Sequence, residues 1–384
     1  MKLFRWLNIV FYALALNLFA QKSPVIIGER TCVFSKILNE ERALLIYLPP
    51  HYFTTKASLP VMYLLDGEEH FHHATGVIEF LSRQNKIPPM IVVAIPNTQR
   101  TRDLTPKTES DNEVSEGGSA DRFADFFADE LIPYVDSTYR TQPFRLLIGH
   151  SFGGLFAFHT MFNRPELFNA FISISASLWW DNRGEIRKAE NFFKDRKSFP
   201  KILYFTIGNE GDDMVKSNEA MSKILKSTPK DFYWKFTILE KESHGSIVHR
   251  SIYDGLEWMY RNWRLPENFE SMSMPDIEAY YKKMKAKFGY EYTTLEAMTN
   301  AVGYALMGKG KIAQAVEVLK YNTIRFPDSP NVYDSLGEAL EAAGQFDQAA
   351  INYLIAVERG TAVNDPNTVI FRLHYNNVMK KLGQ

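Results

Sequence analysis

The sequence is poor in sulfur, in net charge and in long apolar runs. Among 384 residues there is one cysteine, Cys32, which excludes an internal disulfide, an iron–sulfur cluster and a cysteine-rich zinc site. Lys plus Arg is 44 against 45 for Asp plus Glu, a formal net charge of −1, so there is no electrostatic case for nucleic acid as a partner. No P-loop occurs, and Gly208-Asn209-Glu210-Gly211 lacks the third glycine of a dinucleotide fingerprint. Apolar residues, in contrast, make up 45% and aromatic residues 14%, against 23% charged. That is the composition of a folded chain, with enough aromatic rings for a thick core and an aromatic-lined pocket.

The apolar run Leu7–Phe19, broken by Asn17, follows Lys2 and Arg5 and ends at Ala20 before polar Gln21-Lys22. It reads as a secretory signal over residues 1–20, making the expected location exported, periplasmic or secreted. The competing reading is an uncleaved anchor, for which the run is short of the roughly 20 apolar residues a span takes.

Val25–Leu38 and Ala43–Leu48, split by Asn39-Glu40-Glu41-Arg42, predict an antiparallel hairpin at a sheet edge. Short, nearly continuous apolar runs follow at Val61–Leu65, Met90–Ile95, Arg145–Ile148, Ala170–Ser175 and Ile202–Ile207, with a last strand at Tyr233–Leu239. Such runs suit parallel strands covered on both faces. Helical stretches separate them, one over about Ser119–Asp136 with Ser119 as N-cap and Phe123, Phe126, Phe127, Leu131 and Tyr134 on one stripe. The alternation predicts a doubly wound, mainly parallel α/β sheet over residues 21–265. Asn97–Gly118 has no periodicity and reads as a long functional loop. Arg264–Pro275 holds two prolines and marks a boundary, so 266–290 is taken as linker and helix. Residues 291–384 read as helical with an internal repeat. Gly303 and Gly337, Leu306 and Leu340, Gly310 and Gly344, and Ala315 and Ala349 all stand 34 residues apart. That is the tetratricopeptide period, and two units are fewer than the roughly three that stack alone. The tail is therefore expected to pack on the larger domain or to serve a homodimer or a protein partner.

Gly149-His150-Ser151-Phe152-Gly153 is a G-x-S-x-G sequence between a predicted strand and a predicted helix, the context a nucleophile elbow requires. A serine hydroxyl needs a base. With the order serine, acid, histidine, and with His159 set aside as mid-helix and His374 as part of the repeat tail, only His244 and His249 of the nine histidines remain, and His244, flanked by Ser243, Gly245 and Ser246, is the choice. The acid should follow Ile202–Ile207. Glu210 is preferred over Asp212 on position, and Asp213 is assigned to the following helix start. The oxyanion donors should be the N–H groups of Phe152 and of Glu68, with Gly67 as the competitor. Glu68-Glu69-His70-Phe71-His72-His73 could suggest a metal, but no helical H-E-x-x-H pair is present, and a polar pocket rim is preferred. No metal and no cofactor is expected.

On Leu64-Leu65-Asp66-Gly67, Asn97–Pro106, Gly149–Gly154, Ser175–Trp180 and Ser243–Ser246 the chain resembles the putative-esterase branch of the α/β-hydrolases. That branch includes siderophore esterases, feruloyl and acetylxylan esterases, S-formylglutathione hydrolases and mycolyltransferases. Its siderophore-esterase group is the most similar in Arg102-Asp103-Leu104-Thr105-Pro106 and Leu178-Trp179-Trp180. The resemblance covers about residues 25–264, and the helical tail departs from the minimal esterase. It implies a serine-dependent carboxylic ester hydrolase working through an acyl-enzyme on a small-molecule or oligosaccharide ester. It also implies Arg102 and Trp180 as pocket lining, against which Arg102 pairing with Asp103 or another carboxylate, and Trp180 packing in the wall, are weighed. The rivals are an acyltransferase, a feruloyl- or acetylxylan-type esterase and, from another class, a non-catalytic scaffold built on the repeats.

Overall fold

The protein is described from a computed structural model, over residues 24–50, 52–53, 57–84, 86–108, 118–263, 269, 272–289 and 295–383. The predicted signal at 1–20 lies outside this range, as does most of the expected boundary at 264–271.

Eight strands form one sheet: β1 (Glu29–Ser35), β2 (Glu40–Tyr47), β3 (Leu59–Leu65), β4 (Ile91–Ile95), β5 (Thr141–His150), β6 (Ala170–Ile174), β7 (Ile202–Gly208) and β8 (Tyr233–Leu239). Their order is β1-β2-β4-β3-β5-β6-β7-β8. The expected hairpin is the antiparallel edge β1–β2, and β2 pairs antiparallel with β4. All pairings from β4 to β8 are parallel. Strands β3, β4, β6 and β7 are buried at every residue, whereas the edge strands β1 and β8 are in large part exposed. Continuous apolar runs thus mark the centre because helices cover both faces there.

One face carries α3 (120–138), α4 (Phe152–Asn163), α5 (Trp180–Phe193) and α6 (Asp212–Leu225). Helix α3 runs through 120–138 and includes one π turn, Phe127–Leu131. The stripe read from the sequence lies in that layer, with Phe123, Phe126, Phe127 and Leu131 buried. The other face carries α1 (Gly67–Arg83), α7 (Ile247–Met259) and α8 (Met274–Phe288). Two expectations are corrected. Ser119 precedes α3 without a side-chain cap bond, and the segment read as structureless contains a short helix, α2 (Arg100–Leu104).

The tail is all helical: α9 (Leu295–Gly308), α10 (Ile312–Arg325), α11 (Pro330–Ala342), α12 (Phe346–Ala362) and α13 (Thr368–Lys381). The 34-residue offset has a packing cause. A Cβ on Gly303 would strike the Leu319 side chain at 2.5 Å, and one on Gly337 would strike the Tyr353 ring at 2.6 Å. Both the small residue and the large one it accommodates repeat together. Helix α8 joins the two regions, with Met284 and Phe288 in the sheet-face core and Ile277 in a cluster with Val302 and Leu306. Its Phe288 ring stacks on Tyr260 at 4.7 Å.

Candidate active site

The chain goes from β3 outward to β4, then returns to place β5 on the other side of β3. In open α/β sheets such a switch point leaves a crevice beyond the carboxyl ends of the strands. Leu64 is level with Ile148, and His150 with Ile174. The loops after β3, β5 and β6 therefore emerge side by side.

Ser151 occupies the β5–α4 turn with φ 59° and ψ −114°, a backbone costing roughly 1–3 kcal/mol for a residue with a Cβ. The turn is closed by Ser151 N–H donating to the Ile174 carbonyl at 2.9 Å and Ser177 N–H donating to the Ser151 carbonyl at 3.1 Å. Gly149 is required there, since a Cβ would lie 2.2 Å from the Gly153 carbonyl oxygen. The Ser151 and Ser177 hydroxyls share a hydrogen bond at 3.3 Å.

Past β7 and β8 the structure brings Glu210 and His244 together. His244 Nδ1 lies 2.6 Å from Glu210 Oε2. Glu210 Oε1 accepts from Ser175 Oγ at 2.5 Å and from the Gly208 N–H at 3.1 Å. Burial pushes this carboxyl up, but His244, Ser175 and Gly208 outweigh it and hold the pKa below the ordinary value. Asp212 instead pairs with Lys216 across one turn of α6, its side chain 86% exposed. His244 Nε2 has no hydrogen-bond partner among the described residues, and Ser151 Oγ bonds Ser177 rather than His244. His150, next to Ser151, has its ring 4.5 Å from that of His244.

Glu68 and Phe152 stand at the starts of α1 and α4, where the first N–H groups of a helix lack intrahelical partners. Asp66, at φ 53°, caps α1. Its carboxylate accepts from Arg100 at 2.6 and 3.0 Å and from Asn97 at 2.7 Å. Burial opposes its ionisation, yet Arg100 and Asn97 hold the pKa low. Arg100 also donates to the His150 carbonyl at 3.1 Å and lies 5.6 Å from the centre of the Phe152 ring. The arginine nearest the elbow is thus Arg100, which sequence reasoning missed. Arg102 takes the pairing weighed against substrate binding, with Glu40 at 2.7 Å and Asp103 at 2.7 Å. Two residues, about half a helical turn, separate the two arginines' roles, and only the direction of α2 decides between them.

Trp180 donates to the Pro106 carbonyl at 3.1 Å and meets the Phe152 ring edge-on at 5.4 Å. Trp179 bonds Met214 Sδ at 3.0 Å. The preferred pocket rim at 68–73 is divided by α1: His72 is exposed, whereas His70 is buried. His70 joins a row of rings with His73 at 5.2 Å and His150 at 5.9 Å, and His73 reaches His249 at 5.4 Å. Burial, followed by neighbouring imidazoles, pushes both His150 and His73 down to about 4. His159, set aside as mid-helix, is buried between Glu185 at 2.9 Å and Asp121 at 2.8 Å. Burial would lower its pKa, and the two carboxylates reverse that. No spacing rule signals this trio, because its members come from three different helices.

Residues 35–265 match the sequence family described as Putative esterase. The siderophore enterobactin esterase of Emericella nidulans is 27% identical over 257 residues, covering 53% of this chain and 82% of that protein. The ferri-bacillibactin esterase BesA of Bacillus subtilis is 28% identical over 225 residues, covering 53% and 76%. Among solved structures, an IroE-like serine hydrolase from Shewanella oneidensis superposes with a TM-score of 0.66 at 27% identity, covering 83% of this chain and 99% of that one.

Proposed function

The chain belongs to the Putative esterase family and is an esterase, and from that premise we propose that it is a serine carboxylic ester hydrolase of the siderophore-esterase type, working through a Ser151–His244–Glu210 triad. The observation that carries this reading is the 2.6 Å bond from His244 to a buried Glu210, at the same sheet edge as the strained Ser151 turn. Glu210 orients the imidazole through Nδ1 and offsets the charge it gains, leaving Nε2 for the serine proton. Rotation about χ1 of Ser151 exchanges its Ser177 partner for His244 Nε2, a bond that tightens as substrate enters. Ser151 Oγ then attacks the ester carbonyl. The Phe152 and Glu68 N–H groups, each at a helix start, receive the developing oxyanion. His244 returns the proton to the leaving alcohol, and water activated by the same imidazole hydrolyses the acyl-enzyme.

The relatives named for siderophores make an iron-chelator ester the first substrate to try, with feruloyl sugars and acetylated xylan beside it. Hydrolysis of short p-nitrophenyl esters by the full chain, against Ser151→Ala, tests the chemistry; equal rates would end the reading. Export directed by residues 1–20 is the matching proposal for location, checked by the mass of the mature N-terminus. For the tail we propose a tetratricopeptide-like module serving a homodimer or a protein partner, checked by the mass of the protein in solution.

A further inference from the structure

Three side chains of metal-ligand type meet in the tail, away from the crevice. Asp334 and Glu338 stand one turn apart on α11, and His374 reaches them from α13. Their ligand atoms all lie within 4.8 Å of one another. His374 Nδ1 is 3.0 Å from Asp334 Oδ1 and 3.8 Å from Glu338 Oε1. Zinc bonds of about 2.0–2.1 Å in a tetrahedron place neighbouring ligands roughly 3.3 Å apart, between those two separations.

The cluster is short of positive charge. Asp334 is 5% exposed, and both its oxygens depend on the same ring nitrogen, at 3.0 and 3.2 Å. Among the described residues neither carboxylate pairs with a lysine or an arginine. A buried carboxylate is costly unless its lone pairs are filled. Nor does the packing of the repeat require acids there, since at the 34-residue offset the same positions hold Asn300 and Tyr304. Helix α13 is also weakly seated. Its Phe371 and Val378 are buried, whereas Val369, Ile370 and Leu373 are exposed.

We propose that Asp334, Glu338 and His374 form a zinc site, completed by water, that clasps α13 to α11. Zinc takes the Nδ1 lone pair of His374, and the ring keeps its proton on Nε2. Glu338 and His374 are partly exposed, which gives the ion a way in. The site stands independently of the function proposed above.

Equilibrium dialysis of the EDTA-stripped full chain against zinc chloride or magnesium chloride tests the site. One zinc per chain is expected, and no magnesium, which prefers an octahedron of oxygens. His374→Ala and Glu338→Gln should each weaken zinc binding at least about tenfold. Zinc should also raise the melting temperature of the helical circular dichroism signal, and should leave that of His374→Ala unchanged. No zinc uptake, equal uptake of magnesium, or zinc retained at full affinity in either variant overturns the site. Zinc bound without a rise in melting temperature overturns the clasp. Should His374→Ala fail to fold, Glu338→Gln, altered at a partly exposed position, decides alone.

Discussion

The sheet domain and the helical tail treat left-handed backbone in opposite ways. In the tail and its connecting helix the positive-φ positions are Gly289, Gly310, Gly344 and Gly383, with Asn364 the exception. Among the described residues of the sheet domain they are Asn39, Asp66, Ser151, Ser175, Asp181, Asn182 and Arg183, with Gly118 the one glycine. Glycine takes these angles without a Cβ clash, so the tail turns its chain at low cost. The sheet domain retains side chains at such angles, and three of them border one crevice. Asp66 binds Arg100, Ser151 carries the hydroxyl at the elbow, and Ser175 binds Glu210. Strain is accepted where a side chain must be presented at a bend and avoided where only a bend is needed.

The sharpest way to break this contrast is at Ser151. Ser151→Ala is expected to lower ester hydrolysis at least about a thousandfold. Ser151→Gly should be equally inactive yet more stable by about 1 kcal/mol, because it relieves the backbone; a lower melting temperature for the glycine variant would contradict the strain argument. Next, Glu210→Gln should cost about a hundredfold or more in kcat, while Asp212→Asn on exposed α6 changes it little. Loss of activity in the second variant alone would reassign the acid.

The tail predicts the reverse pattern. Gly337→Leu places atoms where Tyr353 sits and should destabilise the helical region by about 1–3 kcal/mol. Gly310→Ala, at φ 74°, should cost about 1 kcal/mol. Ester hydrolysis by folded protein should persist in both.

The smallest expected effect is in acid. His150 and His73 are held down to about 4 when folded, against about 6.5 when unfolded. The unfolded chain therefore binds more protons between those values, and the sheet domain loses stability as pH falls from about 6.5 to about 4. In the tail, burial raises Asp334 and Glu338, the latter also through Asp334. Their folded forms bind the extra protons, so they favour folding as pH falls. All six tryptophans lie at or before Trp263. Tryptophan fluorescence should accordingly lose its folded signal at a higher pH than helical circular dichroism does. Coincident transitions would remove the contrast.

The central strands were legible because burial on both faces leaves an apolar run with no competing period, as at Ile202–Ile207. The repeat was legible because Gly303 and Gly337 answer to Leu319 and Tyr353 at a common offset. The elbow was legible because its turn admits few residues beside Ser151. The role of Arg102 was not, since Arg100 and Arg102 are alike in composition and differ only in which way α2 points them.

By itself the sequence determined the layer order, the repeat period and the candidates for nucleophile, base and acid, because these depend on local sterics and on periodicity along one chain. The tertiary structure alone decided that Glu210 rather than Asp212 meets His244, that Arg100 holds Asp66 beside the elbow, and that His70, His73, His150 and His249 form one row of rings. Such pairings join residues far apart in sequence, and they are set by the register and twist of neighbouring strands, which no local pattern encodes.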